Sequence, residues 1–411
     1  MSKIKDISLA ESGHRKIEWV RRNCPLLRAL KEEYEISQPL KGIRLALSVH
    51  LEAKTAFLCE VFKAAGADVY ATGSNPLSTQ DDVAAALVEE GINVFAWYDC
   101  TDKEYFDNIR EVLSHDCQII IDDGGDLVHM LHTQMQDKIP FVIGGCEETT
   151  TGIIRLKNMA ALKTLKFPMV MVNDADCKHL FDNRYGTGQS VMDGINRTTN
   201  LIVAGKTVVV AGYGFCGKGV SMRAKGMGAR VIVTEVNPVR AIEAVMDGFD
   251  VMPMKDAAPL GDLFITVTGC SAVIGPEIIS SMKDGAIMCN AGHFDIEVDV
   301  AWIKAHAQES SLMRNNIMGY KLSNGRWVYV LAEGRLVNLA AGDGHPAEIM
   351  DMSFAIQFLS AKYLVEHKDE IKQKLIKVPE EIDIQVAQRK LACMGRSIDV
   401  LTQEQRAYLG M

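Results

Sequence analysis

Val208–Gly219 reads VVVAGYGFCGKG, in which three β-branched residues run into Gly212, Gly214 and Gly217 with the spacing G-x-G-x-x-G. β-Branched side chains favour extended backbone. The first glycine then permits a tight turn, the second lets a diphosphate approach the main chain, and the third lets the following helix pack close to its strand. The free N–H groups and positive pole of that helix suit phosphate. A second strand, ARVIVTEV over 229–236, ends in Glu235, eighteen residues after Gly217. A carboxylate there accepts hydrogen bonds from a ribose diol and repels a 2′-phosphate, so the unit predicts a Rossmann domain that binds NAD rather than NADP. Gly212–Lys218 also fits the phosphate loop G-x-x-x-x-G-K, but Gly219 stands where that loop needs a Ser or Thr hydroxyl for magnesium. The NTPase reading fails there.

Working outward, DLFITVTG (262–269) and GAIMCNAG (285–292) continue the same sheet. Upstream, IRLALSVH (43–50), AKTAFLCEVFKAAG (53–66), ADVYATG (67–73) and DDVAAALVEEG (81–91) alternate strand and helix, as a parallel α/β sheet requires. The strand CQIIIDDGG (117–125) ends in paired aspartates and glycines, where open α/β sheets place ligands. After Pro346 the pattern turns helical, and Thr402 with Gln405 forms a capping box for a last short helix. The expected class is α/β: an N-terminal parallel-sheet substrate domain (1–183), a Rossmann NAD-binding domain (184–345), a crossover back to the first (346–380) and a short C-terminal helical segment (381–411).

The chain's 411 residues exceed one ordinary hydrophobic core. Its net charge of −9 argues against nucleic-acid binding, which needs clustered Lys and Arg. The ten cysteines, scattered from Cys24 to Cys393 without a Cys-x-x-Cys pair, suit reduced thiols. Neither a secretory leader nor an apolar run of bilayer length is legible, so a cytoplasmic protein with no membrane partner is expected.

NPLSTQDDVAAAL (75–87), IIDDGGDL (120–127), EETTTGIIRL (147–156), FDNRYGTGQS (181–190), NAGHFDIEVD (290–299) and AEGRLVNLAAGDGHP (332–346) occur together and in order. This set resembles the S-adenosylhomocysteine hydrolases, over nearly the whole chain, and their shorter archaeal and thermophilic branch more than the longer forms. The resemblance implies a small-molecule nucleoside thioether substrate, tightly held NAD and a homo-oligomer, dimeric or tetrameric. It also implies a cycle in which the ribose 3′-hydroxyl is oxidised, the C4′ proton is removed, homocysteine leaves C5′, water adds, and the ketone is reduced back.

By block matching, Lys178 would assist the 3′-hydroxyl, its pKa lowered by burial beside the nicotinamide. Asp123 would be the C4′ base, with His50 and His293 flanking C5′ and exchanging protons near neutral pH. Glu148 and Asp182 would hold the ribose hydroxyls, supported by Asn173 and Asn183. Thr149, Thr150, Thr151, Asn290 and Asn338 would contact the cofactor, Thr55 and Gln80 the substrate, and His345 would be the gate histidine.

Duller readings exist for each: turn chemistry for Asp122 and Asp123, a helix cap for Glu147 and Glu148, a helix face for His129 and His132. No metal is expected, because no residues show ligand spacing.

Three departures stand out. Thr187 replaces the family's usual cysteine, which removes any role for that thiol. The family's C-terminal Lys/Tyr extension is not in this sequence, so cofactor binding is expected to be more self-contained. After His50 the chain reads Leu51-Glu52-Ala53-Lys54-Thr55. Lys54 stands where the family has a glutamate that accepts from the adenine amino group, and lysine can only donate. That change suits hypoxanthine, while Glu52 keeps adenine open by a shift of register. A simple NAD-dependent dehydrogenase would explain the glycine loop but not DDGGD, EETTTG or FDNRYGTGQ. A non-catalytic NAD-binding regulator would not need Lys178, Asp123 and the histidines.

Overall fold

The computed structural model describes residues 2–411. The first sheet is built from β1 (Arg44–Ser48), β2 (Asp68–Thr72), β3 (Asn93–Val94), β4 (Ile119–Asp122), β5 (Gly144–Glu147) and β6 (Met169–Met171). The second holds β7 (Thr207–Ala211), β8 (Arg230–Thr234), β9 (Asp250–Val251), β10 (Leu263–Thr266), β11 (Ala286–Asn290), β12 (Glu309–Arg314), β13 (Ile317–Lys321) and β14 (Trp327–Leu331). The last strand, β15 (Leu375–Lys377), pairs with β6, so the chain returns to the first sheet.

The first sheet runs β15-β6-β5-β4-β1-β2-β3 with every neighbour parallel. β1 lies between β2 and β4, so the strand order reverses there, and a ligand crevice opens at the carboxyl ends of β1 and β4. His50 follows β1 and Asp123 follows β4. Ile119, Ile120 and Ile121 of β4 are all fully buried, as expected for a strand covered on both faces.

The second sheet runs β12-β13-β14-β11-β10-β7-β8-β9 and reverses between β7 and β10. Its β7–β11 and β14 strands are parallel, whereas β12–β13–β14 form an antiparallel extension that the periodicity does not announce. β12 is exposed along its whole length, which leaves no apolar alternation to read.

The return helix Ala347–Glu366 is buried on nearly all sides, with Phe354, Ala355, Ile356 and Phe358 inside the core of the first unit. A helix that is apolar all round belongs in an interior. Its buried polar residues therefore need partners: Asp351 accepts from the N–H groups of Leu26 and Leu27 and pairs with Lys390, whereas Ser353 and Gln357 reach the site.

Candidate active site

The carboxyl edges of the two sheets face each other across a cavity of about 1440 Å³. Loops after β1, β4, β5 and β6 line one side, and loops after β7, β8, β10 and β11 line the other.

Lys178 lies at the end of a short helix that widens into a π-helical stretch, His179–Gly186. Wider turns of this kind recur at functional sites. Here they bring Lys178, Asp182 and Asn183 onto one face. Lys178 Nζ donates to Asn183 Oδ1 at 2.9 Å and to Asn173 Oδ1 at 3.2 Å. It lies 3.3 Å from Asp182 Oδ2 and 3.5 Å from Glu148 Oε1. Burial opposes the cation, but Asp182 and Glu148 outweigh it, so Lys178 is raised above its ordinary value. The expected depression is corrected: within this chain, two carboxylates keep the amine charged. Burial pushes Glu148 up to about 7, aided by Asp182 and opposed by Lys178. Burial also acts against Asp182, yet Lys178, His345 and Ser353 hold it below the usual carboxylate range. Asn173 Nδ2 donates to Thr150 Oγ1 at 3.0 Å, tying this cluster to the threonines after β5.

Across the cavity, Asp123 Oδ2 accepts from Ser74 Oγ at 2.9 Å, while buried Oδ1 has no hydrogen-bond partner. His50 Nε2 is 3.4 Å from Asp123 Oδ2, and His293 Nδ1 is 3.9 Å from Oδ1. Ser78 Oγ holds His50 Nδ1 at 2.7 Å. Burial lowers His50 to about 4, so its imidazole is neutral near pH 7 rather than poised to titrate there. These three side chains bring one ligand atom each within 4.8 Å of one another, a grouping able to hold a metal ion that sequence spacing does not reveal.

His345 also points inward. Its Nδ1 lies 2.6 Å from Asp182 Oδ1 and its Nε2 lies 3.3 Å from Thr187 Oγ1. Thr187 Oγ1 lies 3.7 Å from Sγ of Cys216, a glycine-loop residue that also lines the cavity.

The residues around the second sheet fit a dinucleotide. Gly212 has φ of +100°, and a Cβ on Gly217 would lie 2.0 Å from the Gly212 carbonyl oxygen, so only glycine closes this loop. Gly212, Gly214, Glu235, Asn338 and Thr149–Thr151 line the cavity. Glu235 accepts from the N–H groups of Tyr213 and Val236, each at 2.7 Å, and of Asn237 at 2.9 Å, which fixes its carboxylate at the tip of β8. Asn338 donates to Ser190 Oγ, and its buried Oδ1 has no partner within the chain. Gly219 has its own reason: a Cβ there would lie 1.7 Å from the Arg184 carbonyl oxygen, so the glycine lets the loop helix pack on the π-helical stretch.

Glu52, Lys54 and Thr55 also line the cavity, next to His50. Lys54 Nζ sits 2.7 Å from Glu52 Oε2 and donates to the Asp343 carbonyl at 2.9 Å. Gln80, Gly217 and Asn290 do not line the cavity. Gln80 accepts from Lys16 at 2.9 Å, outside it. Asn290 shapes the loop bearing His293 by donating to the carbonyls of Gly292 at 3.0 Å and Phe294 at 2.8 Å.

Sequence reasoning misses a supporting set. Ser353 Oγ donates to Asp182 Oδ2 at 2.7 Å, and Gln357 Nε2 donates to Glu148 Oε2. Both belong to the buried return helix, and polar residues at i and i+4, on one face of the apolar run SFAIQF, are a signal that could have found them. Glu147 Oε1 accepts from the N–H groups of Gly124 and Thr149, each at 2.9 Å, joining the Asp123 loop to the threonines. Burial beside Asp122 holds its carboxyl well above the usual range.

A Rossmann unit facing a second parallel sheet, with a lysine–carboxylate cluster between them, defines an NAD-dependent enzyme of two lobes. The family model for the S-adenosyl-L-homocysteine hydrolase NAD-binding domain matches residues 183–344, and that for S-adenosyl-L-homocysteine hydrolase matches residues 1–143. The S-inosyl-L-homocysteine hydrolase of Methanococcus maripaludis is 54% identical over 100% of this chain and 98% of its own length. The adenosylhomocysteinase of Sulfurisphaera tokodaii is 54% identical over 99% of this chain and 98% of its own. Among solved structures, a dipicolinate synthase chain from Bacillus halodurans aligns over 81% of this chain and 100% of its own, at 13% identity and a TM-score of 0.49. The chain belongs to the S-adenosyl-L-homocysteine hydrolase family and uses NAD.

Proposed function

We propose that this protein reversibly hydrolyses S-adenosyl-L-homocysteine to adenosine and L-homocysteine. The observation that carries this reading is the Lys178–Glu148–Asp182–Asn183 cluster facing Asp123, His50 and His293 across one cavity that the glycine loop also lines. Bound NAD supplies the reversible oxidation of the ribose 3′-carbon, and the rest of the chemistry falls to the chain.

Glu148 and Asp182 accept from the ribose hydroxyls and fix the sugar. Lys178, held as a cation, donates to the 3′-oxygen as negative charge develops there. Glu148 Oε1, 3.5 Å from Lys178 Nζ and without a hydrogen bond of its own, is the acceptor for the 3′-hydroxyl proton. The unpartnered Asp123 Oδ1 takes the proton from C4′ once oxidation has acidified it. His50 and His293 flank that carboxylate, and His50, neutral and oriented by Ser78, passes a proton at C5′ through Nε2.

A second reading, hydrolysis of S-inosyl-L-homocysteine, is favoured by one observation: Glu52 is already engaged by Lys54, which leaves a donor on the cavity wall. Parallel rates on the two thioethers decide between the readings. Release of homocysteine from neither, by NAD-loaded protein, would end both.

The working division is a substrate domain (1–183), a dinucleotide domain (184–345), a crossover (346–380) and a tail (381–411), in a cytoplasmic homo-oligomer. Self-association is supported by large apolar side chains left exposed on helix Pro238–Met246 (Val239 73%, Ile242 59%) and in the tail (Val400 76%, Tyr408 91%). No helix among the described residues is long and apolar enough to cross a membrane.

A further inference from the structure

The two lobes share little polar contact. Among the described residues, His293 Nδ1 approaches Asp123 Oδ1 at 3.9 Å and His345 Nδ1 lies 2.6 Å from Asp182 Oδ1, and outside the connecting helices one hydrogen bond runs from residues 2–178 to residues 184–345: Lys54 Nζ to the Asp343 carbonyl, at 2.9 Å. Both of its ends are built to hold position. Lys54 sits in the first turn of helix Ala53–Ala64, where the Glu52 carboxylate accepts from the N–H groups of Lys54 at 3.0 Å and Thr55 at 3.4 Å. Thr55 Oγ1 ties that turn back to the His50 carbonyl at 2.6 Å. On the far side, Gly344 takes φ of +72° and its N–H donates to the Asn338 carbonyl at 2.9 Å. The next residue, His345, meets Asp182, and Pro346 opens the return helix. A movement of the Asp343–Gly344 loop therefore moves His345 relative to the ribose cluster.

Lys54 is itself buried and lines the cavity. Its ammonium has three donors. The Asp343 carbonyl takes one and the Glu52 carboxylate sits 2.7 Å away as an ion-pair partner, which leaves at least one N–H for whatever occupies the cavity. We propose that Lys54 is the latch through which a bound purine fastens the two lobes together. The proposal rests on the functional reading above. A 6-oxo group on the base accepts the remaining N–H and completes the latch, whereas a 6-amino group brings a donor against a donor. Base discrimination is then expressed in lobe closure as well as in contact with the base.

The test uses NAD-loaded holoenzyme with inosine and adenosine as probes, reading compaction by small-angle scattering and reduction of the bound NAD by its absorbance. Lys54→Met keeps the length and removes the donors. Gly344→Ala leaves Lys54 in place but strains the left-handed loop on the other side of the latch. Expected for wild type is compaction with both nucleosides, greater with inosine. Both variants should lose that compaction and reduce NAD roughly tenfold or more slowly at saturating nucleoside, the scale of a lost hydrogen bond to a charged group. A Lys54→Met protein that compacts as wild type does, with only its base preference changed, overturns the latch and leaves a simple base reader. Normal closure in Gly344→Ala also overturns it. If wild type reduces its NAD with neither nucleoside, the functional reading itself has failed, and the latch falls with it.

Discussion

Lys178→Met removes the one cation inside a cluster where Asp182 and Glu148 lie 3.3 and 3.5 Å from its nitrogen. All three groups are buried, so the two carboxylates would face each other with only His345, Ser353 and Gln357 left as partners. Breaking a buried pair on one side costs about 3–5 kcal/mol. Part of that is relieved when Glu148, already pushed up to about 7, takes a proton. The protein should therefore fold with reduced thermal stability rather than fail to fold. Catalysis loses more directly, because the lost donor acts where charge develops on the 3′-oxygen. If the whole 3–5 kcal/mol is expressed in that step, the rate falls about a hundred- to several-thousand-fold. The assay is single-turnover reduction of bound NAD on mixing with adenosine, which isolates the first half-reaction from elimination. A loss of less than tenfold, in a variant with native spectra and full NAD content, would refute the role given to Lys178.

Three further outcomes follow from the same geometry. Asp123→Asn should leave reduction of bound NAD nearly intact but slow exchange of the C4′ hydrogen with solvent by about 10²–10⁴-fold, the usual cost of losing a general base; deuterium uptake measured by mass spectrometry checks this. Glu148 stays protonated up to about 7 against an ordinary 4.5, so it contributes stability that is present at low pH and lost as pH rises through that window. Glu148→Gln should flatten that part of the melting-temperature profile and remove any activity limb near pH 7, and an unchanged profile would assign the limb elsewhere. Gln357→Leu, which touches neither substrate nor cofactor, should weaken nucleoside binding by freeing the Glu148 carboxylate, with about 1–3 kcal/mol lost where a buried partner is left unpaired; calorimetric titration with adenosine measures it.

The Rossmann lobe was legible because its signals are local: strand, three glycines, helix and terminal acid lie within 28 residues, from Val208 to Glu235. The first sheet was legible for the same reason, since β1 and β4 are short buried strands with apolar centres, LAL and III, that end in polar loops. The catalytic constellation was not legible in that way. Lys178, Glu148 and Asp123 are far apart in sequence and meet only through strand order, so family blocks had to supply their roles. What remained hidden is what depends on long-range packing. Ser353 and Gln357 reach Asp182 and Glu148 across more than 170 residues of chain. Lys54 reaches Asp343 across 289. The charge state of Lys178 could not be read from burial alone either, because the sign of its shift is set by two distant carboxylates.

The central claim is that a redox-neutral hydrolysis passes through transient oxidation of the ribose. It is tested most directly by mixing NAD-loaded protein with S-adenosyl-L-homocysteine in the absence of any added oxidant, while following NADH absorbance and free homocysteine thiol together. NADH should rise and return to baseline as thiol accumulates over many turnovers. Thiol release with no NADH transient, or NADH that accumulates one for one with product, would contradict it.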